Sequence, residues 1–255
     1  MFNRHSRGLA VTRSLLLCTC LPLVTSPRAF SQAAKSPVPT LEESGFHSIF
    51  DGKTLDGWDC DPDFWRVSEG AIVGQTNQSH QPKQNTFCIW KGGQPADFEL
   101  KADYRLTGVN DGNSGFQYRS VELPQVARWV MKGYQADIDL KQQYTGQVYE
   151  ERGRGFLALR GQISYIPDGH KVGAIGSVGE SSQLRDFIKD GGWNSIDVIA
   201  RGNTLIQLIN GHLMSIVIDD DQTNRKMSGE IGIQLHRLPN AAMKMETRSI
   251  RIKTF

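Results

Sequence analysis

The sequence predicts an all-β protein folded as an antiparallel sandwich, and three observations support this. From Phe46 onward the chain consists of short runs in which apolar and polar residues alternate. Turn-forming residues such as glycine and asparagine separate these runs, and long stretches with helical periodicity are absent. This combination is typical of antiparallel sheets packed face to face.

Individual runs specify strands and hairpins. In residues 98–106, apolar side chains alternate with charged ones, which predicts a long strand with one buried face. Residues 65–74 form a predicted hairpin around Glu69-Gly70, and Asn210-Gly211 is a strong hairpin signal. Further strands are predicted over residues 196–200, 204–209, 213–218, 230–236 and 243–253, and the one helix over residues 181–189.

The first 33 residues have the pattern of a secretory signal peptide. Arginines precede a short apolar run at residues 14–24, and the small residues Ser31-Gln-Ala33 follow it. The apolar run is shorter than the roughly 20 residues that span a bilayer, so a membrane anchor is the weaker reading. We therefore predict a signal peptide over residues 1–33, a linker over 34–45 and one domain over 46–255, in a secreted or periplasmic protein.

Charge and cysteine content limit the partners. Four of the 29 basic residues lie in residues 1–33, which leaves 25 against 27 acidic residues and a net charge of about −2. This balance does not favour nucleic acid as a partner. Cys60 and Cys88 remain in the exported chain and could form a disulfide or stay as two buried thiols.

Three predicted strands place polar, fork-shaped side chains on a common face. Alternation puts Gln117 and Arg119 together, and Gln234 together with His236. Gln135, Asp137 and Asp139 share a face in the same way. Amide, carboxylate and guanidinium groups present donors and acceptors in a fixed plane, which suits sugar hydroxyls. An ordinary solvated face is the alternative.

An ordered series of motifs resembles the 3-keto-disaccharide hydrolase family, also described as 3-keto-glucoside 1,2-lyase or 3-keto-2-hydroxy-glucal hydratase. The series begins with Phe-Asp-Gly-Lys-Thr-Leu-Asp-Gly-Trp at residues 50–58 and ends with Ile-Gly-Ile-Gln-Leu-His at residues 231–236. Between them lie the motifs at residues 65–74, 112–119 and 133–138. The resemblance implies a concanavalin-like jelly roll acting on oxidised sugars. Where family members often read Gly-Tyr-Glu-x-Gln, this chain has Gly133-Tyr-Gln-Ala-Asp137.

A family member needs a base to remove the C2 proton of a 3-keto-glycoside, a group to stabilise the enolate and an acid for the leaving oxygen. Asp137 and Glu150 are the candidates for the base, although Asp137 could instead pair with Arg119, and Glu150 with a neighbouring arginine. Arg119 could stabilise the enolate. His236 could act as the acid, because its ordinary pKa lies near neutrality.

The expected partner is an oligosaccharide or glycoside. The substrate-binding candidates are Gln117, Tyr134, Gln135, Tyr144, Trp193 and Gln234. We expect no cofactor and no metal site, although residues 219–221, three consecutive aspartates, or Asp137 with Asp139 could hold Ca²⁺.

Two other functions fit the same fold. A non-catalytic, lectin-like domain needs only aromatic and amide side chains on a sheet, and fold alone does not specify function. A β-glucanase places two carboxylates about 5–5.5 Å apart across the scissile bond. The usual Glu-x-Asp-x-Glu strand of such enzymes is absent here, and Asp137-Ile-Asp139 comes nearest to it.

Overall fold

A computed structural model describes residues 45–109, 111–169, 171–239 and 242–255. The predicted signal peptide and all but the last residue of the predicted linker lie outside the described residues. Among the described residues, no helix has the length and apolar character needed to cross a bilayer.

The described chain forms two sheets, as the alternating runs predicted. The first has ten strands in the order β12-β11-β15-β14-β13-β6-β17-β4-β3, with β1 beside β17. Its strands are β1 (His47–Ser48), β3 (Trp65–Ser68), β4 (Ala71–Gln75), β6 (Phe98–Gly108), β11 (Gln162–Ile166), β12 (Gly173–Ser177), β13 (Asn194–Arg201), β14 (Thr204–Ile209), β15 (His212–Asp219) and β17 (Met243–Thr254).

The second sheet has seven strands in the order β10-β9-β8-β7-β16-β5-β2. Its strands are β2 (Trp58–Asp59), β5 (Thr86–Trp90), β7 (Asn113–Glu122), β8 (Met131–Asp139), β9 (Val148–Glu151), β10 (Gly155–Ala158) and β16 (Glu230–Leu235). Every strand pair described is antiparallel except β11 with β15.

One apolar cluster fills the space between the sheets. Side chains such as Leu100 and Val198 from the ten-stranded sheet meet Phe116 and Ile233 from the seven-stranded sheet, and all four are almost inaccessible to solvent. Burial of this apolar area is the main force that holds the sheets together. The fold class is therefore the predicted all-β sandwich.

The structure contains the disulfide that the sequence left open, whereas the predicted helix is shorter than expected. Cys60 and Cys88 form a disulfide, which joins the segment after β2 to β5. The helix α1 covers only Ser181–Arg185, shorter than the predicted residues 181–189. Asn194 explains the early end, because its side chain accepts from the Lys189 N–H and donates to the Lys189 carbonyl, which holds this segment in a turn.

Candidate functional site

Side-chain amides form a connected network on the outer face of the seven-stranded sheet, the face turned away from the ten-stranded sheet. Gln117 and Gln135 lie opposite each other on β7 and β8, while their sequence neighbours Phe116 and Ala136 point into the core. Gln117 Nε2 donates to Gln135 Oε1 over 2.9 Å. Gln135 Nε2 in turn donates to Gln234 Oε1 over 3.3 Å. The predicted gathering of these three amides on one face is confirmed.

Asp137 lies within this network and is only 5% exposed. Its Oδ1 accepts hydrogen bonds from Asn113 Nδ2 and Gln135 Nε2, each 3.1 Å long. Burial raises the pKa of Asp137 from its ordinary value of 3.8 to about 7, against the opposing effect of these two hydrogen bonds. The Ile138 backbone N–H also lowers this pKa, and the negative charge of Asp139 raises it. Asp137 can therefore accept a proton near neutral pH.

Glu151 is a second buried carboxyl group on this face. Its Oε2 accepts from Gln234 Nε2 and its Oε1 from Asn85 Nδ2, each over 3.4 Å. Because β8 and β7 lie between β9 and β16, the contact with Gln234 means that the sheet curls around this face. Gly115 makes room within the curl, since a side chain there would collide with Gln135. Burial raises the pKa of Glu151 as well.

Aromatic side chains border the network on the β9 side. Tyr149 lies opposite Gln135, and Phe156 lies opposite Tyr149. The Phe156 ring is 5.1 Å from the Tyr149 ring and 5.5 Å from the Tyr144 ring, measured between centroids. Tyr144 and Phe156 are 41% and 40% exposed, so a ligand can reach them. Such surfaces suit the apolar faces of sugar rings.

His236 follows the last residue of β16 and is partly buried. Its backbone neighbour Arg237 donates to Asn85 Oδ1, which places His236 near the Asn85–Glu151 end of the network. Burial lowers the pKa of His236, and its Nδ1 is buried without a partner among the described residues. The imidazole is therefore neutral near pH 7 and has a nitrogen free for a further hydrogen bond.

The prediction that Arg119 shares this face with Gln117 is wrong. The pairing of β7 with β8 shifts between Tyr118 and Val121, and Arg119 has a φ of 46°. This irregularity breaks the alternation on which the prediction depended. The buried guanidinium donates instead to Asp97 and to the carbonyls of Ala96, Gly202 and Lys226.

Glu150 and Tyr134 also lie away from the network. They oppose each other on β9 and β8, on the side where Tyr134 joins the apolar core. Glu150 Oε2 accepts from Arg154 Nε and from the Arg154 backbone N–H. Tyr134 donates its hydroxyl proton to Asp219, which also pairs with Arg154. The structure thus fits the alternative reading of Glu150, a partner for a nearby arginine.

Trp193 lies just before β13 of the opposite sheet. Arg105 and Arg248, on β6 and β17, lie over its ring with guanidinium carbons 4.9 Å and 4.0 Å from the centroid. Arg105 alternates with the core residues Tyr104 and Leu106, so this cluster is on the outer face of the ten-stranded sheet. The structure therefore does not bring Trp193 to the amide network.

Sequence reasoning missed Glu151, Asn85, Asn113, Tyr149 and Phe156. Glu151 is adjacent to Glu150, which the sequence analysis took as a candidate for the base. To choose between the two, one must know which residue of this short strand faces outward. The pairing of Gln135 with Tyr149 settles this orientation, but it is set by contacts between strands. Asn85 carries no local signal, because its role depends on a strand far away in the sequence.

The aspartates considered for Ca²⁺ have protein partners. Asp139 accepts from the backbone N–H groups of Gln143, Tyr144 and Thr145. Asp219 and Asp221 both pair with Arg154. The described part of the chain contains no group of three or more His, Cys, Asp or Glu side chains placed to hold a metal ion.

Comparison with solved structures finds the same fold in carbohydrate-related proteins. A candidate glycosyl hydrolase from Parabacteroides distasonis has 17% identity and a TM-score of 0.52, and the match covers 84% of this chain and 95% of that one. A second such protein from the same organism has 15% identity and a TM-score of 0.50, covering 82% and 99%. The carbohydrate-binding module CBM66 from Bacillus subtilis has 13% identity and a TM-score of 0.49, covering 78% and 96%. At these identities the first two likenesses concern the fold alone, and the third is too weak to assign a fold.

Sequence comparison assigns the family. No curated protein matches the chain significantly. The sequence model of the 3-keto-alpha-glucoside-1,2-lyase-like domain, however, matches residues 45–253, which is most of the chain and includes every residue of the network. The chain therefore belongs to this family of carbohydrate-active domains.

Proposed function

We propose that this protein cleaves 3-keto-glycosides, with Asp137 as the base that removes the C2 proton. The observation that carries the proposal is the buried Asp137 carboxylate, which accepts hydrogen bonds from two side-chain amides on the outer face of the sheet. A pKa of about 7 gives this group both a substantial ionised fraction at neutral pH and useful basicity. Family membership supports this class of substrate.

The chemistry proceeds by elimination and hydration. A ketone at C3 acidifies the C2–H bond, and Asp137 takes that proton to leave an enolate. The enolate electrons form a C1=C2 double bond as the C1–O bond breaks, and the leaving oxygen takes a proton from an acid. Water then adds across the double bond, with its oxygen at C1 and a proton at C2. The net result is hydrolysis without an oxocarbenium ion.

Neutral donors surround the position where charge develops. Gln117 Nε2 and Gln234 Nε2 each donate one hydrogen bond among the described residues. The second N–H of each can hydrogen-bond the enolate oxygen or the sugar hydroxyls, and a dry site strengthens such bonds. Burial raises the pKa of Glu151, which favours the protonated form that an acid needs, and we assign Glu151 this role. His236 can relay the proton to and from water. Arg119 has no part in this scheme, because its donors are engaged elsewhere.

The sugar ring would pack against the exposed aromatics. Tyr144 and Phe156 offer adjacent ring faces beside Tyr149, itself opposite Gln135. A pyranose has an apolar face and a polar rim, which match an aromatic surface next to a row of amides. The proposed partner is therefore a glycoside or oligosaccharide.

The decisive test compares an oxidised and an ordinary sugar. The purified protein is incubated with p-nitrophenyl 3-keto-glucoside and p-nitrophenyl glucoside in both anomers, and nitrophenol release is followed. In D₂O, the C2 proton of recovered substrate or product is measured by NMR. We expect release from the keto-glucoside alone, with deuterium at C2. Release from the ordinary glucoside would instead indicate a β-glucanase-like enzyme.

A non-catalytic, sugar-binding function is the second candidate. The exposed Tyr144–Phe156 pair favours it, since binding requires no base. Calorimetric binding of either sugar with neither nitrophenol release nor deuterium exchange would establish this alternative.

Export belongs to the same proposal. A protein that acts on oxidised glycosides outside the cytoplasm needs the signal peptide predicted for residues 1–33. N-terminal sequencing of the protein from its native host should begin at Ala34, and a cytoplasmic protein that retains residues 1–33 would contradict this.

A further inference from the structure

A cleft of about 360 Å³ opens beside the carboxyl network, between residues 80–86 and the loop before β8. Its lining includes His80, Lys83, Asn85, Thr86 and Trp129. This volume lies within the usual range of small-molecule sites, roughly 300–1,000 Å³. Its position next to the network suggests that one substrate could occupy both.

Two contacts join the cleft to the proposed catalytic groups. Asn85 lines the cleft and donates to Glu151, the proposed acid. Gln84 also lines the cleft and accepts a hydrogen bond from Arg152, the residue after Glu151. A group bound in the cleft would therefore lie beside the carboxyl that protonates the leaving oxygen.

Trp129 is held in a strained and restrained position on the cleft wall. Its φ of 59° is in the left-handed region, which is unfavourable for a bulky side chain. The indole N–H donates to Asp59 over 2.8 Å, and the Arg128 guanidinium carbon lies 4.3 Å from the ring centroid. The Trp129 carbonyl also accepts from the Phe87 N–H. Strain of this kind concentrates at ligand-binding sites, where it fixes a side chain in advance.

The lining suits a sugar better than a purely apolar group. Trp129 and Phe64 supply apolar surface, while Asn85 and Lys83 supply hydrogen-bonding groups. Thr86 adds a buried hydroxyl oxygen without a partner in the described residues. We propose that this cleft is the subsite for the leaving group, and that it binds a second pyranose ring against Trp129. This inference rests on the proposed function.

The test compares two leaving groups in the full chain. One substrate is methyl 3-keto-glucoside, whose leaving group cannot fill the cleft, and the other is a 3-keto-disaccharide. For Trp129→Ala we expect kcat/KM to fall about tenfold with the disaccharide and less than about twofold with the methyl glycoside. Trp129→Phe keeps a ring in place and should retain most of the activity lost in Trp129→Ala.

The matched control is Trp193→Ala, which removes another arginine-stacked tryptophan, beside the opposite sheet. This variant should leave kcat/KM unchanged with both substrates. Thermal unfolding of each variant separates loss of folded protein from loss of binding. If wild type cleaves both substrates and Trp129→Ala lowers both equally or neither, the inference alone is overturned. If the wild-type protein cleaves neither substrate, both the proposed function and this inference are overturned.

Discussion

Glu150 and Glu151 are neighbours on β9, yet they belong to two chemically different regions. Glu150 points to a cluster in which Arg154 contacts Glu150, Asp219 and Asp221. Glu151 points to the outer face, where its hydrogen-bond partners are the amides of Asn85 and Gln234. Both carboxyls are buried, at 2% and 8% exposure, so burial alone does not distinguish them.

The difference lies in how each region compensates buried charge. In the Arg154 cluster, a guanidinium pairs with the carboxylates and compensates their charge. In the amide network, the side-chain partners of Asp137 are neutral amides, and desolvation outweighs their hydrogen bonds and raises its pKa. A buried carboxyl with a cation stabilises structure, whereas one among amides is available for proton transfer.

The largest expected effect is the loss of catalysis in Asp137→Asn. The amide preserves shape and can still contact Asn113 and Gln135, but it cannot accept the C2 proton. General base catalysis contributes roughly 10²–10⁴-fold, so we expect kcat/KM on 3-keto-glucosides to fall about 10³-fold. Steady-state kinetics measure this. Asp103→Asn, on the ten-stranded sheet, is the matched control and should stay within twofold of wild type. Activity of Asp137→Asn within tenfold of wild type would remove Asp137 from the mechanism.

The next largest effect concerns stability, in the other region. Arg154→Met leaves Glu150 and Asp219, which are 2% and 1% exposed, without their cation. Removing one partner of a buried ion pair costs about 3–5 kcal/mol, and we expect the lower value because the Arg154 side chain is itself 18% exposed. Urea denaturation should show a fall of about 3 kcal/mol in the free energy of unfolding. A fall below about 1 kcal/mol would mean that the cluster does not depend on this cation.

Replacing each of the adjacent glutamates by glutamine, one at a time, tests the contrast between the amide network and the Arg154 cluster directly. Glu151→Gln should lower kcat/KM roughly 10–100-fold, because a proton donor is lost, and change the unfolding free energy by less than about 1 kcal/mol. Glu150→Gln should do the reverse, with activity within about threefold of wild type and a stability loss of about 1–2 kcal/mol. Each variant is the control for the other. Equal effects of the two variants on activity would contradict the division into two regions.

Sequence patterns predicted the parts of this molecule that depend on local alternation. Residues 98–106 alternate cleanly, and β6 buries the expected side chains. The Asn210-Gly211 turn correctly joins β14 to β15. The meeting of Gln117, Gln135 and Gln234 also followed from alternation, because β7, β8 and β16 are neighbours in the sheet.

The wrong predictions of side-chain position arose where the alternation along a strand is interrupted, or where contacts with residues distant in the sequence set the strand register. At Arg119 a positive φ and a shifted pairing with β8 redirect one side chain into the interior. On β9, the choice between Glu150 and Glu151 depends on the pairing with β8, which the four residues of that strand do not reveal. Trp193 precedes β13, a strand of the other sheet. The residues around Trp193 do not indicate which of the two sheets this side chain lies against.

The prediction most specific to the amide network is a pH dependence of stability. Because the pKa of Asp137 is raised to about 7 in the folded protein, the folded chain holds a proton that the unfolded chain releases near pH 4. Stability therefore falls as pH rises from about 4 to about 7, by at most about 1.4 kcal/mol per pH unit from this group, and levels off above that range. Asp137→Asn lacks the titrating group, so the unfolding free energy of the variant minus that of wild type should grow over this range. Urea denaturation of both proteins at intervals between pH 4 and pH 8 measures the difference, and other titrating groups cancel in it. A constant difference would mean that Asp137 keeps an ordinary pKa, and the contrast with the Arg154 cluster would lose its physical basis.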